Sequence, residues 1–159
     1  MGTEIERKFL VIGDEWRSHA VGKRYRQGYI PTDGATTVRV RTVGDQAFLT
    51  IKSPTQGLSR SEFEYPIPLA DAETMLDTLC RRPLIEKTRF VLLDGELTWE
   101  IDEFYGDNQG LILAEVELQS EDQPINLPPW VGREVSHDAR YFNSNLSRHP
   151  MSQWQDDHP

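Results

Sequence analysis

Glu4-Ile5-Glu6-Arg7-Lys8-Phe9-Leu10-Val11 alternates in character residue by residue. In an extended strand, successive side chains point to opposite faces, so Glu4, Glu6 and Lys8 share one face while Ile5 and Phe9 share the other. The same period of two recurs in Thr37-Val38-Arg39-Val40-Arg41, Phe48-Leu49-Thr50-Ile51-Lys52 and Glu62-Phe63-Glu64-Tyr65. It returns in Lys87-Thr88-Arg89-Phe90-Val91, Trp99-Glu100-Ile101-Asp102 and Leu113-Ala114-Glu115-Val116-Glu117-Leu118. With a further strand over Arg24 to Ile30, the pattern predicts eight strands.

The breaks between these runs fit hairpins. Gly44-Asp45 and Asp94-Gly95 each separate two alternating runs, and residues 53–59 and 106–110 read as longer turns. Three helices are expected outside the sheet. One runs from Asp14 to Ala20. One runs from Asp71, as its cap, to Arg81, with Met75, Leu76 and Leu79 as an apolar stripe and Pro83 forbidding continuation. The third begins near Ser136 or Asp138 and turns Tyr141, Phe142 and Leu146 toward the core. Residues 1–148 are read as one domain, and the polar stretch 149–159 as a disordered tail.

The polar face of the strands is charged to an unusual degree. Carboxylates repeat at i,i+2 four times, in Glu4/Glu6, Glu62/Glu64, Glu100/Asp102 and Glu115/Glu117. Bases repeat in Arg39/Arg41 and Lys87/Arg89, with Lys8 and Lys52 adding single ammonium groups. A wet sheet face with cross-strand ion pairs would also carry charge, but it normally mixes in Ser, Thr, Asn and Gln. Like charges about 7 Å apart along a strand repel unless something of opposite sign lies between them. Eight strands close into a barrel just wide enough for side chains or one small ligand. The fold expected is therefore an α+β chain dominated by antiparallel β: a closed eight-stranded barrel with a charged, wet lumen and an apolar exterior covered by helices. A dry interior could not hold this much charge; a divalent cation among the carboxylates and a polyphosphate among the bases could.

The carboxylate-only ligand set suits a hard cation, Mg2+ or Mn2+, and its size favours two ions. The metal ligands expected are Glu4, Glu6, Glu62, Glu64, Asp102, Glu115 and Glu117, with Glu100 beside them. Lys8, Arg39, Arg41, Lys52, Lys87 and Arg89 are expected to bind phosphate, the arginines through forked contacts. Lys8 and Lys52 are further expected to stabilise charge in the transition state, and Glu6 or Glu117 to hold the attacking water.

The chain has 159 residues and a formal charge of −9, from 26 acidic and 17 basic residues. So acidic a surface repels nucleic acid, and there is no basic run or zinc-finger spacing. No run of eighteen apolar residues suggests a membrane span, and the polar N-terminal residues do not read as a signal peptide. The lone Cys80 cannot form an internal disulfide and is read as a buried small residue on a helix. These features point to the cytoplasm. There is no Gly-rich phosphate loop and no HExxH, and the four histidines are scattered. An apolar exterior too long for three short helices suggests a homodimer.

The ordered set of motifs resembles the CYTH superfamily, the triphosphate tunnel metalloenzymes, and within it the small bacterial inorganic triphosphatases. Glu4-Ile5-Glu6-Arg7-Lys8 resembles the ExExK signature, Arg39-Val40-Arg41 the RxR strand and Thr50-Ile51-Lys52 the lysine strand. Glu62-Phe63-Glu64, Lys87-Thr88-Arg89, Glu100-Ile101-Asp102 and Glu115-Val116-Glu117 follow in the family's order. Gln27-Gly28-Tyr29 resembles its second-strand motif, and Glu134-Val135-Ser136 with Tyr141 and Asn143 its closing segment, Ser136 standing where threonine is usual. The resemblance implies a triphosphate held inside an eight-stranded tunnel, metal held by glutamates from both ends of the chain, and Tyr29 near the ligand, where it joins Lys8, Lys52, Glu6 and Glu117 as a catalytic candidate. It admits hydrolysis of tripolyphosphate, thiamine triphosphate or nucleoside triphosphates, cyclisation of ATP, and non-catalytic polyphosphate binding. An organic substrate would need a wall for its ring; besides Tyr29, the candidates are Tyr25, Phe48, Phe104, Tyr105 and Tyr141. The absence of a visible base-binding insertion favours inorganic tripolyphosphate, cleaved to pyrophosphate and phosphate.

Overall fold

Alternation fixes the strands. In the computed structural model, which describes residues 2–154, they are β1 Gly2–Val11, β2 Val21–Ile30, β3 Thr37–Val43, β4 Gln46–Lys52, β5 Ser59–Pro66, β6 Ile85–Asp94, β7 Leu97–Phe104, β8 Ile112–Glu117 and β9 Val131–Glu134. Strands β1 to β8 form a closed antiparallel ring in the order β1-β5-β4-β3-β2-β6-β7-β8, returning to β1. Closure is made at β1. One of its edges pairs Glu6 to Leu10 with β8, while the other pairs Gly2 to Ile5 with β5 and then Phe9 to Val11 with β9. The short β9, not foreseen as a strand, thus occupies the edge that β5 leaves. The β6–β7 turn is Gly95-Glu96, one residue later than expected, because Asp94 still pairs with Leu97; Gly95 supplies the positive φ of 64°.

The barrel exterior is apolar and is covered in two places. Phe9, Trp99, Ile101, Ala114 and Val116 pack beneath Trp16, from a 3-10 turn at Glu15–His19, and Trp130, from the loop before β9. The rings of Trp99 and Trp130 meet edge to face at 5.2 Å. Val40 and Ala47 lie under α1 (Leu69–Thr78), which buries Ala72 and Leu76. The helix starts three residues earlier than expected, with Pro68 rather than Asp71 at its cap position, and Leu79 falls beyond its end, half exposed. Cys80 is buried just past the helix, against Gly28 of β2, where a Cβ would stand 2.8 Å from the cysteine's own. Phe63 and Tyr65 on the outer face of β5 remain exposed, at 40% and 52%.

The third helical segment does not cover the outside as expected; it closes one end of the barrel. The lumen-facing row of each neighbouring strand changes from charged to apolar at one level: Leu10 follows Lys8, Leu113 precedes Glu115, Phe104 follows Asp102 and Ile85 precedes Lys87. On this apolar layer pack Tyr141, from a 3-10 turn at Ala139–Tyr141, Leu146, from α2 (Asn143–Arg148), and Trp154. The Trp154 ring stands perpendicular to Tyr141 at 5.2 Å, and its indole N–H donates to the His149 carbonyl. The expected disordered tail therefore does not begin at His149: Met151–Gln153 is a 3-10 turn and Trp154 is buried, because its large apolar ring has a core to enter. The remainder of that stretch, 155–159, lies outside the described residues. Among the described residues no helix is long and apolar enough to cross a membrane.

Candidate active site

Above the apolar stopper lies a cavity of about 290 Å³ lined by charge. Of the residues expected at the site, Glu4, Glu6, Lys8 and Tyr29 line it, as do Arg39, Arg41, Lys52, Glu62 and Glu64, and Lys87, Arg89, Glu115 and Glu117. Glu100 lines it as well; Asp102 does not. Tyr25, Phe48, Phe104, Tyr105 and Tyr141 are likewise absent from the lining. Tyr25 instead packs against two guanidinium groups, those of Arg41 at 4.8 Å and Arg89 at 5.2 Å from its ring.

Most of the lumen charges meet across the strands. Lys8 lies opposite Glu115 in the β1–β8 register and its Nζ is 3.2 Å from that carboxylate. Lys52 Nζ donates to both oxygens of Glu4, at 2.9 and 3.1 Å. Arg39 reaches Glu64 at 3.3 Å, while the Thr50 hydroxyl donates to the same Glu64 oxygen at 2.6 Å. Asp102 is the most enclosed acid: Arg89 grips it with Nε and Nη2 at 2.7 and 2.8 Å, and Lys87 Nζ adds a contact at 2.7 Å. With both oxygens engaged and 2% exposure, Asp102 is a counter-charge for Lys87 and Arg89. Burial alone would raise its carboxyl, but Arg89 and Lys87 hold it at about 2. Burial pushes Lys87 down to about 7 despite Asp102, and repulsion from Arg89 and Arg41 adds to the fall.

Three lumen groups, Arg41, Glu6 and Glu117, have no partner of opposite charge within 4 Å among the described residues. Arg41 has its Nε held at 2.9 Å by the Oε1 of neutral Gln27, and no carboxylate in ion-pair reach. Burial and then repulsion from the neighbouring Arg39 and Arg89 push it down to about 9, which still leaves it charged at neutral pH. Glu6, on the β1 row between Glu4 and Lys8, forms no ion pair. Burial, then Glu115 and Glu4, push its carboxyl up to about 8. Glu117 is also raised, by burial and by Glu4, Glu100 and Glu62.

Among the described residues, no three acidic, histidine or cysteine side chains converge as ligands of one ion do, because Glu4, Glu62, Glu64 and Glu115 are each drawn to a base. The donor chemistry nevertheless fits a hard divalent cation: every candidate ligand is a carboxylate, and Glu6 and Glu117 are acids whose negative charge the protein leaves poorly compensated.

Several site residues escaped the sequence reading. Arg60 faces Glu4 across the β1–β5 seam, with its Nε 3.5 Å from a Glu4 oxygen, and lines the cavity. Its parity with Glu62 and Glu64 was a usable signal, hidden by its place beside a turn. Phe142 lines the cavity, with its ring 5.5 Å from Lys8 Nζ. Asn143 accepts from Lys87 Nζ at 3.0 Å. Ser136 accepts from the Lys8 amide at 2.9 Å and donates to Glu134 at 2.6 Å, pinning β1 behind the site. Glu121 clasps the loop at the cavity rim, accepting from the Leu58 amide and the Ser59 hydroxyl.

Comparison with known proteins adds to this geometry. The CYTH domain family matches over residues 2–148. The chain is 47% identical over 156 residues to an inorganic triphosphatase of Acetivibrio thermocellus, covering 98% of this chain and 100% of that one. It is 45% identical over 152 residues to an inorganic triphosphatase of Nitrosomonas europaea, covering 91% and 97%. A solved structure of an inorganic triphosphatase superposes with a TM-score of 0.65 at 36% identity, over 90% of this chain and 96% of that one. A Pyrococcus horikoshii protein at 16% identity has a TM-score of 0.59 over 75% of this chain and 80% of that one, a likeness of fold alone.

Proposed function

The chain belongs to the CYTH domain family, and from that premise we propose that it hydrolyses inorganic tripolyphosphate to pyrophosphate and phosphate in a divalent-cation-dependent reaction. Its full-length similarity to two inorganic triphosphatases supports the substrate. The observation that carries the reading is the mismatch of charge inside the cavity: a guanidinium, Arg41, without an acid, and a carboxylate, Glu6, without a base. A polyphosphate chain supplies the anion that Arg41 lacks, and a cation supplies what Glu6 lacks. The cavity, about 290 Å³, sits at the lower edge of the roughly 300–1,000 Å³ usual for ligand sites, which suits a substrate with no organic ring.

In this reading the phosphoryl chain lies along Arg39, Arg41, Lys52, Lys87 and Arg89, with Lys8 nearest the reacting phosphorus. Incoming negative charge raises the proton affinity of Lys87, so the site gains a further cation as substrate enters. Glu6 or Glu117 orients a water in line with the departing pyrophosphate, whose charge the arginines stabilise. The cation, Mg2+ or Mn2+ and two ions in this reading, would be held by Glu6 with Glu4, Glu115 and Glu117; when bound it supplies charge neutralisation and polarises the phosphoryl oxygen. A homodimer would cover Phe63 and Tyr65, and sedimentation showing only an 18 kDa species at micromolar concentration rules that part out.

The test is a substrate panel: phosphate release from tripolyphosphate, thiamine triphosphate, ATP and pyrophosphate at equal concentration, with Mg2+ and with Mn2+ and with excess chelator. Tripolyphosphate should give the highest kcat/KM and chelator should abolish it. An equal or higher value for ATP or thiamine triphosphate, or full activity in chelator, overturns the reading.

A further inference from the structure

Gln27 stands directly opposite Arg41 in the β2–β3 register, and its side chain is fully buried at 0% exposure. Its two ends are used differently. Oε1 accepts from Arg41 Nε at 2.9 Å, while Nε2 donates to the Tyr29 hydroxyl at 3.1 Å and to Asn143 Oδ1 at 3.4 Å. Asn143 Oδ1 also accepts from Lys87 Nζ. One amide therefore joins two phosphate-binding candidates and a tyrosine, and it cannot flip without placing N–H against N–H at Arg41.

The position is notable for what it lacks. Lys8, Arg39, Lys52, Lys87 and Arg89 each rest on a carboxylate. Arg41 alone rests on a neutral acceptor. A glutamate at position 27 would be almost isosteric, would accept from Arg41 Nε at the same place, and would relieve the repulsion from Arg39 and Arg89. It would also neutralise the one lumen guanidinium that, among the described residues, has no acid. We propose that Gln27 is a positioning residue that fixes Arg41 through a neutral contact, so that the guanidinium charge stays available to a phosphate of the substrate. This rests on the triphosphatase reading for the identity of the anion; the geometry alone carries the claim that the anion meets Arg41.

The inference requires stability and affinity to move in opposite directions in Gln27→Glu, which a packing role does not. Thermal unfolding, steady-state kinetics on tripolyphosphate and calorimetric binding of tripolyphosphate should be compared for wild type, Gln27→Glu and Gln27→Met. Gln27→Glu should unfold at or above the wild-type temperature, with KM and Kd raised by about tenfold or more, as loss of a charged contact to an anion implies, and kcat much less affected. Gln27→Met, which removes the contacts but adds no charge, should unfold earlier and raise KM by a smaller factor. Wild-type KM and Kd in Gln27→Glu overturn the inference. If Gln27→Glu does not fold, Gln27→Met decides: a raised KM supports the positioning role and a wild-type KM overturns it. A wild type that binds tripolyphosphate without cleaving it sinks the triphosphatase reading but leaves Gln27 to be judged on Kd, whereas a wild type that neither binds nor cleaves overturns both.

Discussion

Asp102→Asn is the sharpest probe of how the lumen holds its charge. The carboxylate is 2% exposed and accepts three charge-assisted contacts, two from Arg89 and one from Lys87. Replacing it with an amide takes from buried Lys87 its ion-pair partner and leaves Arg89 only its longer contacts to Glu100 and Glu115, at 3.2 and 3.3 Å, with Arg41 close by. Removing one partner of a buried ion pair costs about 3–5 kcal/mol. Lys87, already pushed down to about 7, can shed its proton and relieve part of that, so the lower end, about 3 kcal/mol, is expected. In a domain of this size each kcal/mol moves Tm by about 2–4 °C, giving a fall of about 6–12 °C. Saturating tripolyphosphate should recover much of the loss, since a ligand at a hundred times its Kd stabilises the native state by about 2.7 kcal/mol and its phosphates replace the missing negative charge. Circular dichroism melts at pH 7, with and without tripolyphosphate, measure both. Manganese affinity, followed by electron paramagnetic resonance, should be unchanged, because Asp102 does not face the cavity. A Tm within about 2 °C of wild type, or a large loss of Mn2+ affinity, would refute the reasoning.

Three further outcomes follow from the same geometry. Glu6→Gln removes a half-buried acid with no base among the described residues, so it should raise the cation-free Tm while weakening Mn2+ binding; a lowered Tm with intact binding would assign Glu6 a structural role instead. Trp154→Ala removes an aromatic ring from the stopper and should cost about 3 kcal/mol, read as a lower denaturant midpoint at unchanged m-value; an unaltered midpoint would show that the stopper holds without it. The Asp102 carboxyl is depressed in the folded protein, from 3.8 to about 2, so its stabilisation is complete above pH 3.8 and is lost as pH falls through 2. The contribution is about 2 kcal/mol, and Asp102→Asn should flatten that limb of the acid-unfolding curve.

The strands were legible because period two is enforced by backbone geometry at every residue, and the charged face because like charges repeated on one parity. What parity cannot show is the level along the barrel. Leu10, Leu113, Phe104 and Ile85 sit on the same rows as Lys8, Glu115, Asp102 and Lys87, yet form a dry layer that the C-terminal segment caps. That layer explains why α2 enters the barrel end instead of covering its outside, and why Trp154 is buried in a stretch of otherwise polar composition. The pairing of charges was equally hidden. Asp102 and Glu100 are two residues apart on one row, but the register sets Asp102 directly opposite Arg89, where both its oxygens are gripped, while Glu100 faces the cavity. Gln27 gave no electrostatic signal at all, being neutral, and Arg60 was masked by the serines around it beside the β4–β5 turn.

A barrel whose interior acids and bases all matched would be the more stable molecule, since each pair would repay part of its desolvation and no like charges would face one another. It would also have nothing left with which to attract an anion or a cation. This lumen is matched nearly everywhere, and the matched pairs hold their members in place: Asp102 fixes Lys87 and Arg89, Glu4 fixes Lys52, Glu64 fixes Arg39. Among the described residues the mismatch lies with one base, Arg41, and two acids, Glu6 and Glu117, whose own repulsions the protein leaves unrelieved. Ligand binding then relieves both at once, which couples cation and phosphate affinity: each should bind more tightly when the other is present, by the same factor in either order. Equal affinity for Mn2+ with and without a non-hydrolysable triphosphate would mean that the unmatched base and the unmatched acids serve separate ends.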